Sequence, residues 1–146
     1  MKDFELLPHT ADIKIPVYGT TLKELFAHAV EGMFQCIQPK VQGCVMIHDR
    51  VVCEILPIVR TFTIESSELD FLLIDFLSHC LYLSAVHKEA YLKAKIESIT
   101  STHVHAEVYG VKVHGFEVVE IKAVTYHDTH VEEKNGIWQA DIVFDI

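Results

Sequence analysis

The last seven residues, Ala140-Asp141-Ile142-Val143-Phe144-Asp145-Ile146, are mostly apolar and still read as a strand at the final position. A chain end is ordinarily a frayed polar tail, so this pattern predicts an end docked inside a sheet, with a free carboxylate beside Asp145. A second acidic strand opens the chain, in His9-Thr10-Ala11-Asp12-Ile13-Lys14-Ile15. If the first and last strands are neighbours, Asp12 joins Asp145 and several hard oxygen donors converge. Such a donor set suits Ca²⁺ or Mg²⁺ better than zinc. The plain alternative is two unrelated surface aspartates at strand ends.

Between these ends the hydrophobic period changes twice. Asp12 to Val17 alternates as a half-buried strand, with Pro16 marking an edge or a strand end. Thr21-Leu22-Lys23-Glu24 has capping-box spacing. Leu22, Leu25, Phe26, Ala29, Val30, Met33, Phe34 and Ile37 then keep a helical rhythm that Pro39 ends. Arg50 to Glu65 has strand character broken near Pro57, as one bent strand or two short ones. Ser66-Ser67-Glu68-Leu69-Asp70 signals a second N-cap, and Leu69, Leu72, Leu73, Phe76, Leu77, Cys80 and Leu81 continue at helical spacing. The remainder reads as strands over 91–99, 104–113, 116–126 and 136–146, with a turn at 100–102 and a hairpin turn at Asn135-Gly136. Helices come early and strands late. That order predicts an α+β fold, two helices packed on a mostly antiparallel or mixed sheet, rather than a doubly wound one.

At 146 residues the chain fits one domain, 1–146, large enough to bury roughly 68–70% of its unfolded surface. The formal charge of −9, with 12 Lys and Arg and no basic run, argues against direct binding to nucleic acid, whose affinity comes mainly from cationic contacts to phosphate. An acidic domain reaches RNA indirectly instead, by docking on a protein with a basic surface. Cys36, Cys44, Cys53 and Cys80 form no CxxC pair, so reduced thiols are expected. No signal peptide is apparent, and the apolar stretch from Phe71 to Val86, interrupted by Asp75, Ser78 and His79, reads as too short for a bilayer span. A cytoplasmic protein without a membrane segment is the expectation.

Several of these segments together resemble the archease family: His9-Thr10-Ala11-Asp12-Ile13, the helix from Thr21 to Phe34, the Leu- and Phe-rich helix from Ser67 to Leu83, Ile121-Lys122-Ala123-Val124-Thr125-Tyr126-His127, and Gly136-x-Trp138 through Phe144-Asp145-Ile146. The resemblance spans the chain, and is weakest from Gln38 to Asp49. It implies an accessory protein for the tRNA-splicing ligase RtcB that promotes guanylation of the ligase's histidine and multiple turnover in tRNA splicing and RNA repair, without being a ligase itself. It also implies a divalent cation, Ca²⁺ with Mg²⁺ or Mn²⁺ as substitutes, held by Asp12, Asp145 and Ile146. Lys122 becomes a functional candidate by the same likeness, its structural alternative being a salt bridge to Glu117 or Glu120. His9 and His127, inside the family-like motifs, are candidates for supporting the acidic site.

Ten histidines invite a zinc reading, but His103-x-His105 and His127-x-x-His130 lack a matching third and fourth ligand. No nucleophile elbow or phosphate-binding glycine loop is present, and Cys53 and Cys80 have the apolar neighbours of inert thiols. Two other functional classes stay open on the residues alone. One is a small metal-dependent phosphohydrolase using Asp12 and Asp145; the other is a protein-binding module without metal.

Overall fold

The computed structural model describes residues 12–41, 43–115, 121–126 and 129–146. Strand β1 (Asp12–Gly19) buries Val17 and half-buries Ile13 and Ile15, while Asp12, Lys14, Pro16 and Tyr18 face out. Helix α1 (Leu22–Ile37) starts where the capping box places it, with the Thr21 hydroxyl accepting from the Glu24 N–H at 3.1 Å. The return half of the box is different. The Glu24 carboxylate takes the Thr20 hydroxyl at 2.8 Å, and that hydrogen bond lowers its pKa. The helix stops at Gln38, whose left-handed φ of 47° turns the chain out.

The end of the stretch where the family likeness is weakest, Gln38 to Asp49, pairs with the residues that follow it in a hairpin, β2 (Cys44–Ile47) and β3 (Arg50–Cys53), turned by His48 and Asp49 at φ 49° and 63°. Its register places Cys44 opposite Cys53, and the two are joined in a disulfide with a Cα–Cα distance of 4.4 Å. This corrects the expectation of four reduced thiols; Cys36 and Cys80 alone are free. Sequence spacing carries no sign of the pairing, because a tight hairpin, not a CxxC motif, creates it. Gln35 of α1 pins the hairpin from the other side. Its side-chain amide donates to the Val51 carbonyl at 2.9 Å and accepts the Val51 N–H at 2.8 Å, as a neighbouring strand would.

After Pro57 comes β4 (Ile58–Glu65), so the stretch from Arg50 to Glu65 is two strands rather than one. Helix α2 (Leu69–His87) begins at Glu68 without a side-chain cap; the Ser66 hydroxyl donates instead to Asp75, at 2.9 Å. Strands β5 (Glu89–Ile99) and β6 (His103–Lys112) follow, then a short β7 (Ala123–Val124). The chain closes with β8 (Glu132–Lys134) and β9 (Ile137–Asp145), joined by Asn135 and Gly136 at φ 54° and 81°. The expected strand over 116–126 lies partly outside the described residues.

Two larger antiparallel sheets result. One runs β1-β9-β7 with β8 also on β9, the other β4-β6-β5. Both helices lie between them: α1 packs on β1 and β9 of the first sheet and β5 of the second, α2 on β7 of the first and all three strands of the second. The α+β expectation holds. By length and composition α2 is apolar enough to cross a bilayer, contrary to the reading of this stretch as too short. Its position between two sheets accounts for the apolarity, with Leu72, Leu73, Ile74, Phe76 and Leu77 all fully buried. Phe76 meets Phe26 of α1 and Phe62 of β4 at ring-centroid distances of 5.5 and 5.7 Å, which ties the layers together.

One charge is carried deep into this frame. The Glu89 side chain is fully buried and receives a two-pronged contact from Arg60, at 3.0 and 2.9 Å, the Tyr91 hydroxyl at 2.8 Å and Lys112 at 3.3 Å. Burial pushes its pKa up, but the hydrogen bonds from Arg60, Tyr91 and Lys112 together outweigh it and hold the carboxyl at about 2. Beside it a Cβ on Gly110 would fall 2.0 Å from the Ala90 carbonyl oxygen, so only glycine fits where β5 crosses β6.

Candidate functional site

The first sheet brings the two acidic strand ends together. In the β1–β9 register Asp12 lies directly opposite Asp145, followed by Ile13 opposite Phe144 and Lys14 opposite Val143. Directly opposed residues of an antiparallel pair share a face, with Cβ atoms about 4.5–5.5 Å apart. Phe144 and Ile142 point into the core and are buried, so Asp145 points outward with Asp12, and both aspartates are exposed. Apolar alternation thus does two jobs on β9. It anchors the strand through one face and delivers a carboxylate on the other.

Strand β7 completes the surroundings. It pairs with β9 on the side away from β1, placing Ala123 opposite Asp145, and the Lys122 N–H donates to the Asp145 carbonyl at 2.8 Å. Asp145 therefore sits on an inner strand between Asp12 and a small alanine. Lys122 is exposed, Ile121 and Val124 are buried, and Ile146 is half-buried. On the outer face Lys14 reaches Asp141 at 3.6 Å. His9 and His127 lie outside the described residues, as do Glu117 and Glu120.

Two acids of α2 hold the segment around β7 in place: Asp70, which the sequence marks only as part of an N-cap signal, and Asp75, which it marks only as a break in an apolar stretch. Asp75 accepts the Tyr126 hydroxyl as well as that of Ser66, and the Tyr126 ring stands edge-on to Phe71 at 5.5 Å. Asp70 accepts the Val131 N–H at 2.8 Å and faces His130 Nδ1 at 3.1 Å. The hydrogen bond and charge of Asp70 raise the pKa of His130. The signal available beforehand was that Asp70 and Asp75 interrupt an apolar helix, where an acid needs a partner. Of the histidines in the zinc reading, His130 is the one beside Asp70, while His105 on β6 meets the Thr63 hydroxyl at 2.7 Å and His103 lies opposite Glu65.

Among the described residues, no three His, Cys, Asp or Glu side chains converge as a metal cluster. What the register supplies is two exposed carboxylates on directly opposed residues of one sheet face. That chemistry fits a hard cation, which takes carboxylate, carbonyl and water oxygens, and does not fit zinc in a closed site. Two facing carboxylates repel, and a cation between them removes the repulsion.

The relatives of this chain agree on one family. Residues 4–146 match the family model described as Archease protein family (MTH1598/TM1083). The chain is 37% identical to Protein archease of Methanosarcina acetivorans, over 99% of this chain and 97% of that protein. Protein archease of Pyrococcus furiosus is 32% identical, with both chains covered in full at 100%. The fold matches the crystal structure of an archease from Thermotoga maritima, with a TM-score of 0.66 and 19% identity, over 100% of this chain and 99% of that one. It matches the solution structure of protein 1598 from Methanobacterium thermoautotrophicum equally well, with a TM-score of 0.66 and 24% identity, over 96% of each. The chain belongs to the archease family.

Proposed function

We propose that this protein is a non-catalytic, metal-binding activator of an RtcB-type tRNA-splicing ligase, acting in the cytoplasm on the ligase's guanylation step. Family membership supports the class. The observation that carries the site is the register that sets Asp12 opposite Asp145 on the outer face of the first sheet. Those two carboxylates, with the main chain at Ile146, would hold a divalent cation, Ca²⁺ or in its place Mg²⁺ or Mn²⁺. Such an ion supplies positive charge with coordination positions open to water, phosphate or a partner's acidic group.

The chain's own residues then have simple tasks. Asp12 and Asp145 stand on opposed positions of one sheet face because their strands are hydrogen-bonded and anchored by Phe144 and Ile142. Ala123 leaves the neighbouring position small, and Lys122, exposed beside it, offers a point charge for phosphate or carboxylate. Encounter with the ligase rests on complementarity between a chain of net charge −9 and a basic protein surface, so RNA is approached only through the ligase.

The test is a turnover count with a purified RtcB-type ligase, GTP, divalent metal and RNA bearing a cyclic phosphate end. The wild-type chain should convert a single-turnover ligase to multiple turnover, and Asp145→Ala should not. Equal stimulation by Asp145→Ala, or release of phosphate by the isolated chain, would overturn the proposal, the latter in favour of a metal-dependent phosphohydrolase.

A further inference from the structure

Apart from the carboxylate pair, the described surface carries a cavity of about 760 Å³ between the C-terminal ends of α1 and α2, lined also by β7. That volume lies within the roughly 300–1,000 Å³ typical of small-molecule sites. Its floor is apolar, formed by Ile37, Leu81, Ile121 and Val124. Among the described residues its charged lining is Lys88 and Lys122, and His114 lies in the same wall. The carbonyl ends of two helices point a weak negative charge toward this region, and Lys88, at the C-cap of α2, is placed to offset it.

Tyr82 supplies the third element. It lines the same cavity and the residue is 60% exposed, so an aromatic side chain open to solvent borders an apolar site that also carries lysines. Apolar floor, aromatic edge and two lysines are the requirements of a ligand with a flat ring at one end and several negative charges at the other. We infer that this cavity binds a nucleoside polyphosphate, its base against Tyr82 and its phosphates toward Lys88 and Lys122. Lys122 and Ala123 also border Asp145, through the 2.8 Å hydrogen bond and the β7–β9 register. A cation held at Asp12 and Asp145 would therefore stand close to the phosphate end; this one clause rests on the function proposed above, and the pocket does not.

Calorimetric titration of the isolated protein with GTP, ATP, inorganic tripolyphosphate and guanosine, first in chelator and then with Ca²⁺, separates the two. Saturable binding of a nucleoside triphosphate in chelator is expected, weaker for tripolyphosphate and weaker still for guanosine. Lys88→Asn removes the charge while tolerating the left-handed φ of 56° at that position, and should weaken nucleotide binding about tenfold at an unchanged melting temperature. Tyr82→Ala should abolish the preference for nucleotide over tripolyphosphate. No saturable binding in chelator, or tripolyphosphate binding as tightly as nucleotide and indifferent to Tyr82→Ala, overturns the pocket. Tightening with Ca²⁺ that vanishes in Asp145→Asn reads the carboxylate site alone, so its absence counts against the metal reading and leaves the pocket standing.

Discussion

Glu89 and the Asp12–Asp145 pair are carboxylates on strands of opposite sheets, and the fold treats them differently. Around Glu89 the countercharge comes from within: Arg60, Lys112 and Tyr91 converge on a side chain that water does not reach. At Asp12 and Asp145 the two negative groups share an exposed face, and among the described residues no ion pair neutralises either; the nearest strand lysine, Lys14, is engaged with Asp141. A buried charge must be satisfied by the protein because desolvation leaves no other source. An exposed like-charge pair can persist unsatisfied at small cost, which leaves its demand for a cation available to solution or to a partner. The first arrangement stabilises the fold; the second is the site on which the proposed function rests.

The largest effect that would test this contrast is on stability at the second sheet. Arg60→Leu takes the two-pronged donor from Glu89 and leaves a buried carboxylate with only Tyr91 and Lys112. Such a break costs about 3–5 kcal/mol, so urea or thermal denaturation should show a severely destabilised or unfolded protein. Full stability would mean that the cluster is ornamental and the contrast false.

The pH dependence sharpens the same point. Glu89 has a folded pKa held down to about 2, below the value near 4.5 of a free glutamate. Its contribution is therefore complete above the unfolded pKa and is lost as pH falls through that interval toward about 2. Denaturation midpoints between pH 5 and pH 2 should fall steeply for the wild type, and less steeply for Glu89→Gln. His130 has the opposite sign. Asp70 raises its pKa, so its contribution is present below the usual histidine value and fades as pH rises past the folded one. Asp70→Asn should remove that alkaline component.

The contrast was only half legible in the sequence. Alternation at both ends marked Asp12 and Asp145 as outward partners of buried residues, and antiparallel pairing of the terminal strands then fixed their juxtaposition. Capping chemistry placed the start of α1 correctly because Thr21 and Glu24 are local to it. Glu89 could not be read this way. Its partners Arg60 and Lys112 are brought near by the β4-β6-β5 pairing, across sequence separations that no local pattern records. The same holds for Cys44 and Cys53, and for Asp75 with Tyr126, 51 residues apart. The lining of the cavity beside β7 likewise joins α1, α2 and residues 113–115 and 121–124. Local signals decide elements; contacts between elements follow only from the sheet order.

At the first sheet the expected effects on folding are smaller. Asp145→Asn should change stability in chelator by only about 0.5 kcal/mol, and in the stabilising direction, since it removes a directly opposed like charge. What it should lose is the rise in melting temperature that millimolar Ca²⁺ gives the wild type through preferential binding to the folded state. A Ca²⁺-dependent rise that survives in Asp145→Asn would place the cation elsewhere.

The smallest expected effect belongs to Lys14, and its sign is the informative part. The Lys14–Asp141 pair spans 3.6 Å with side chains 56% and 45% exposed, so breaking it costs between about zero and 0.5 kcal/mol. Lys14 also lies one outward step along β1 from Asp12, where its positive charge opposes any cation bound by the two aspartates. At a separation of about 7–8 Å and effective dielectric between those of surface protein and water, that opposition to a divalent cation is roughly 1–4 kcal/mol before screening, and salt and the Asp141 countercharge reduce it to roughly 0.4–1.4 kcal/mol. Lys14→Ala should therefore bind Ca²⁺ two- to tenfold more tightly at low ionic strength, with the gain shrinking as salt approaches 0.15 M and the Debye length falls to about 8 Å. A lysine that belonged to the stabilising framework, as Arg60 does, would give the reverse pattern, with measurable loss of stability and unchanged Ca²⁺ affinity. Calcium titration of the variant at two salt concentrations decides which side of the comparison Lys14 stands on.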